Sequence, residues 1–121
     1  MDLSFDQLRA ANVERCETAF HSIEAWEPWS WSNAMAGECG EACNLTKKMQ
    51  RIWPANQYIL NWNKTEDQRL EELAERLAGE IADVVIYADL LAARIGRSLG
   101  ECVRQKFNEK SEEIGSPIRL P

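Results

Sequence analysis

Ala36-Gly37-Glu38-Cys39-Gly40-Glu41 and Ala78-Gly79-Glu80-Ile81-Ala82-Asp83 are one phrase written twice: Ala-Gly-Glu, any residue, a small residue, an acid. Positions three apart share a helix face. Each phrase therefore presents two carboxylates side by side, and two such helices packed together would gather four. The surrounding residues make both segments helical. Trp31, Ala34, Met35, Leu45, Met49 and Ile52 recur at helical spacing around the first, and Leu70, Leu73, Leu77, Ile81, Val84 and Leu91 around the second. Such stripes face a core, and here the acids lie on them. Acids so placed must be paired, protonated or bound to a cation, because an unpaired buried charge is costly. Four neighbouring carboxylates also repel one another. A hard divalent cation resolves both problems, and Mg2+ suits carboxylates together with substrate phosphates. Gly inside a helix costs about 1 kcal/mol relative to Ala, so Gly37 and Gly79 suggest close helix approach or room for a ligand. The competing reading makes the acids solvated faces or partners of nearby Lys and Arg; the repeat on two apolar stripes weighs against it.

A chain of 121 residues forms one domain, residues 1–121, with a proper core. Apolar content of 45% with 28% charged residues fits a globular protein in water. The net charge of −6 argues against a nucleic-acid partner, which calls for a basic patch. No run approaches the ~18 apolar residues of a membrane span, so no membrane is expected. Met1-Asp2-Leu3-Ser4 does not open a signal peptide. Cys16, Cys39, Cys43 and Cys102 contain no Cys-x-x-Cys pair, and His21 is the sole histidine, so zinc is not expected. The cysteines read as reduced, buried and small, and the location as cytoplasmic, or the host cytoplasm for a viral source.

Taken in order, a capping box at Ser4 and Gln7 predicts a helix to about Glu24, with Phe5, Leu8, Cys16, Phe20 and Ile23 inward. His21 reads as a surface or helix-end residue rather than a catalytic base. Residues 25–33 are rich in tryptophan, Pro28 interrupts any helix there, and Ser30 caps the next. The rings are expected both to close the end of a bundle and to offer one face, Trp31 first, for stacking on a flat ligand such as a nucleobase. A second helix over 31–52 carries Glu38, Glu41, Asn44 and Lys48. Lys48, two turns beyond Glu41, meets a phosphate chain or offsets the helix dipole together with Lys47 and Arg51. Residues 53–64 read as a loop, and 57–62 is rejected as a strand. A long third helix starts near Thr65 or Glu66 and ends near Arg94. Its Tyr87, one turn past Asp83, contacts a sugar or base, or packs in the core. Ser98 and Glu101 form a second capping box for a helix to about Glu113, with Leu99, Cys102, Val103, Phe107 and Ile114 inward and Lys106 on that face. Asn108 points elsewhere. The fold class is all-α: four main helices with a long third one.

These residues carry a resemblance. The chain resembles the MazG-like members of the all-α nucleoside triphosphate pyrophosphohydrolase superfamily. The likeness rests on Glu38/Glu41 and Glu80/Asp83, on the Trp26–Trp31 entry and on Gly37-Glu38-x-Gly40-Glu41-Ala42-x-Asn44 with Lys47-Lys48. It extends through Ala82-Asp83-Val84-Val85-Ile86-Tyr87 and Lys106-Phe107-Asn108, covering residues 17–115. It implies a MazG-like four-helix bundle assembling into a homodimer or homotetramer. It implies Mg2+-dependent hydrolysis of a nucleoside triphosphate between the α and β phosphates, with deoxynucleotides favoured and Mn2+ able to substitute. By the same resemblance Glu38, Glu41, Glu80 and Asp83 are metal ligands, and Glu38 or Glu41 assists the attacking water. Trp31 and Tyr87 are then base or sugar contacts, and Asn44, Lys48, Lys106 and Asn108 further substrate contacts. Glu112 and Glu113 depart from the pattern, which often has an arginine there. Two other readings are a non-catalytic helical module that senses nucleotides or binds a partner, and a di-iron or di-manganese bundle. The latter normally uses Glu-x-x-His motifs, which are missing here.

Overall fold

The Ser4 side chain accepts from Gln7 N while the Gln7 side chain accepts from Ser4 N, so the expected capping box opens α1, Phe5–Arg15. The structure is a computed structural model and describes residues 2–53 and 68–121. Three further α-helices complete the framework: α2, Pro28–Ile52; α3, Gln68–Arg94; and α4, Leu99–Glu113. Among the described residues there is no strand, and the protein is all-α. The readings of residues 54–64 and of a helix start at Thr65 or Glu66 lie outside the described residues. No helix among the described residues is long and apolar enough to cross a membrane.

The chain divides into two units, one of Met1–Ser32 with Ile86–Pro121, the other of Asn33–Val85. The first is built on Trp31. It has no exposed surface and packs with Cys16, Ile23 and Leu90 inside a ring that includes Val13, Trp26, Tyr87 and Leu91. Its indole Nε1 donates to Ile23 O at 3.2 Å. Burying a ring of this size contributes roughly 4–6 kcal/mol at most. Polar ties frame this core. Asp89, 1% exposed, accepts from Arg9 Nε at 2.9 Å and from Asn12 Nδ2 at 3.1 Å. The Arg94 guanidinium donates to Trp26 O at 2.8 Å and to Glu27 Oε2 at 3.2 Å. At Gly100 a Cβ would meet Phe5 Cβ at 3.0 Å, so any larger residue there would push the Phe5 side chain aside by a few tenths of an ångström.

Several expectations are corrected. The first helix does not continue to Glu24: it passes into a π-helical turn, Cys16–Phe20, and then a 3₁₀ turn, Ile23–Ala25. The backbone is extended at His21, after the π turn, so Phe20 and Ile23 do not share a helix face: Ile23 is buried while Phe20 is 57% exposed. Pro28 opens α2 instead of interrupting a helix, since its missing N–H needs no partner in a first turn. Ser98 caps α4 through Glu101 N, but the Glu101 carboxylate pairs with Arg104 instead of closing the box. Val103 and Phe107 of α4 and Ile114 at its C-cap, expected inward, are exposed. Of the cysteines only Cys16 is buried, and burial pushes its thiol pKa up.

In the second unit, Leu45 of α2 and Leu70 and Leu73 of α3 are buried. Ile81, expected on the core stripe of α3, is exposed, as is its neighbour Val85.

Candidate functional site

Within the second unit, α2 brings Glu38, and α3 brings Glu80 and Asp83, to one place. One carboxylate oxygen from each lies within 4.8 Å of the others. The i, i+3 spacing on α3 sets Glu80 beside Asp83. Glu38 and Glu80 are half-buried, whereas Asp83 is exposed. Glu41 is exposed and stands outside this set, although its carboxyl acts on Glu80. Three of the four expected acids are thus assembled by the fold, and the fourth flanks them. Around Gly37 and Gly79 a Cβ would meet nothing within 4 Å, so these glycines leave open space and do not serve close helix contact.

The electrostatics are strained in one direction. The Glu80 carboxyl is held above its ordinary pKa, first by the side chain of Glu38 beside it and then by burial. Glu41 acts the other way, and the charges of Glu38 and Asp83 add to the rise. Glu80 Oε2 is shut off from solvent and has no hydrogen-bond partner. Two ionised carboxylates cannot hydrogen-bond each other, so this oxygen calls for a proton or a cation.

A divalent cation fits that need. Mg2+ bonds oxygen at about 2.0–2.1 Å, so ligand oxygens on opposite sides of the ion stand roughly 4 Å apart. The three acids stand near this spacing, and all their donors are hard oxygens, with no sulfur or imidazole among them.

The remaining expected site residues fare differently. Asn44 and Lys48 are exposed on α2, on the Ile52 side of Glu41. Tyr87 is half-buried in the first unit, its ring 6.3 Å from that of Trp31. Trp31 is enclosed on all sides, so its ring offers no face for stacking. Lys106 is exposed on α4, not on a core face. Asn108 holds the chain end: its Nδ2 donates to Leu120 O at 3.1 Å and its Oδ1 accepts from Leu120 N at 2.7 Å. His21, expected at the surface or at a helix end, caps the π-helical turn and is half-buried among Phe20, Trp26 and Trp31. Its Nδ1 lies 2.8 Å from Ser22 O, which places the ring hydrogen there, and its buried Nε2 has no partner. Sequence reasoning missed the Arg9–Asn12–Asp89 network; Arg9 and Asn12 at i, i+3 on the Cys16 face were its only local sign.

No family model matches the chain, and neither a curated protein nor a solved structure matches it.

Proposed function

We propose that this protein is a Mg2+-dependent nucleoside triphosphate pyrophosphohydrolase, releasing a monophosphate and pyrophosphate and favouring deoxynucleotides. One observation carries the reading: Glu38, Glu80 and Asp83, from the two copies of one motif, converge around an orphaned carboxylate oxygen. The MazG-like resemblance of those motifs supports the choice of reaction.

Glu38, Glu80 and Asp83 would hold Mg2+, or Mn2+ in its place. The ion, when bound, lowers the pKa of water and offsets charge developing on phosphate. Glu41, exposed beside the three, takes the proton from the attacking water. Asn44 and Lys48, further along the same helix, meet the phosphate chain. Tyr87 and Lys106 are kept as sugar or base and phosphate contacts on the resemblance alone. Trp31 and Asn108 are left out, because core packing and the chain end occupy them. The exposed apolar residues Val103 and Phe107 of α4 and Ile114 at its C-cap support assembly into a homodimer or homotetramer. They equally support the second reading, a non-catalytic interaction module.

The test is pyrophosphate release from the ribo- and deoxyribonucleoside triphosphates of the four bases, with Mg2+ and with EDTA. Metal-dependent release with a monophosphate product is expected. Folded protein that releases none from any of them overturns the reading in favour of the interaction module.

A further inference from the structure

The second unit holds a cleft of opposite character to the acids. Its volume is about 420 Å3, and Lys48, Arg51, Ile52, Arg69, Glu72, Leu73 and Arg76 line it. Four cations face one carboxylate, in a chain whose net charge is −6. The arrangement follows from helix spacing. Lys48 and Arg51 are i, i+3 on α2, and Arg69, Glu72 and Arg76 fall at i, i+3 and i+7 on α3. Lys48 and Arg51 also lie near the end of α2, where cations offset the dipole. Arg76 is two turns inside α3, and no helix end accounts for it. Among the described residues, no ion pair engages Lys48, Arg51 or Arg76. Lys48, Arg51 and Arg76 outnumber the single carboxylate of Glu72, and a bound polyanion balances that excess of positive charge. Guanidinium forks match phosphate oxygens two at a time. The volume falls in the range of small-ligand pockets, and Ile52 and Leu73 give the cleft an apolar floor.

We propose that this cleft binds a compact polyphosphate without a metal ion. The occupant is free pyrophosphate or the polyphosphate tail of a nucleotide. Along the helices Lys48 is roughly 10 Å beyond Glu41 and Arg76 one turn, roughly 6 Å, before Glu80, at 1.5 Å per residue; Lys48 is shared with the proposed substrate contacts, whereas Arg51 and Arg76 are not. The inference does not rest on the pyrophosphohydrolase reading, because it concerns binding with metal withheld.

The experiment is calorimetric titration of the whole protein in EDTA with inorganic pyrophosphate, inorganic phosphate and an α,β-methylene nucleoside triphosphate. Pyrophosphate is expected to bind more tightly than phosphate. Arg51→Gln with Arg76→Gln should weaken it by about tenfold or more, since two charge-assisted contacts are lost. Glu72→Gln should tighten it about threefold by removing the opposing charge. Glu38→Gln with Asp83→Asn should leave it unchanged. Binding should fall as salt rises. An analogue that binds more tightly than pyrophosphate assigns the occupant as a nucleotide tail; the reverse assigns free pyrophosphate. Absence of pyrophosphate binding in EDTA, or binding indifferent to both the arginine and the Glu72 substitutions, overturns the proposal. The Glu72 variant keeps the test open should the double arginine variant fold poorly.

Discussion

Asp89 and Glu80 lie on one helix and meet opposite fates. Asp89 is the more deeply buried, yet both of its oxygens are used, one by Arg9 and one by Asn12. Glu80 is only half-buried, but its neighbours Glu38, Glu41 and Asp83 are all acids, and one of its oxygens has no partner at all. Depth of burial is therefore a poor guide to which acid lacks a partner. A satisfied charge holds the fold together, whereas an unsatisfied one marks where something from outside is needed.

That contrast can be broken or sharpened by substitution. The largest expected effect is on turnover: Glu80→Gln with Asp83→Asn should lower Mg2+-dependent kcat/KM by about a thousandfold, or roughly 4 kcal/mol. The same change should leave the helical circular dichroism intact. Full activity in this variant would remove the acids from the mechanism. Next comes Asp89→Ala, which strands the Arg9 guanidinium and the Asn12 amide. It should cost about 3 kcal/mol of stability, read from the urea midpoint, the low end for a broken buried pair because Arg9 keeps some solvent contact. A midpoint unmoved by Asp89→Ala would erase the distinction between the two acids.

A smaller effect comes from metal itself. Mg2+ at about a hundred times its Kd should add roughly 2.7 kcal/mol to the native protein, and nothing to the Glu80/Asp83 variant. Trp31→Phe should cost about 1–2 kcal/mol, from lost ring volume and an unpartnered Ile23 O, while leaving KM unchanged. A raised KM would return Trp31 to the binding site. The smallest effect concerns pH. The folded Glu80 binds its proton more tightly than the unfolded chain does, so its contribution to stability declines as pH rises from the ordinary glutamate value of 4.5 through the raised folded value. In EDTA, Glu80→Gln should remove that decline and raise the melting temperature by a few degrees at neutral pH.

The repeat and its spacing were legible because they are local. Helical periodicity, the Ser4 box and the end of α3 at Arg94 depend on residues a few positions apart, and the convergence of Glu38 with Glu80 and Asp83 on the duplicated phrase. What was illegible depended on distant partners. Nothing near Asp89 announces Arg9, and nothing near Asn108 announces Leu120. The π turn rests on one residue's excess within a continuous apolar pattern, so Phe20 and Ile23 read alike although one is exposed and the other buried. The apolar face of α4 has the period of a core helix, and periodicity alone does not say whether this chain covers it. The substrate contacts read least well, since Trp31 carries the same composition signal whether it stacks on a ligand or fills a core.

The exposed thiols Cys39 and Cys43 stand one turn apart on α2, Cys39 next to Glu38, and Cys102 stands on α4, whereas Cys16 is enclosed. The chain thus carries its own set of chemical probes at the acid-bearing helix and at the apolar one, with an internal control in the core. Whatever covers either surface will slow alkylation there and nowhere else.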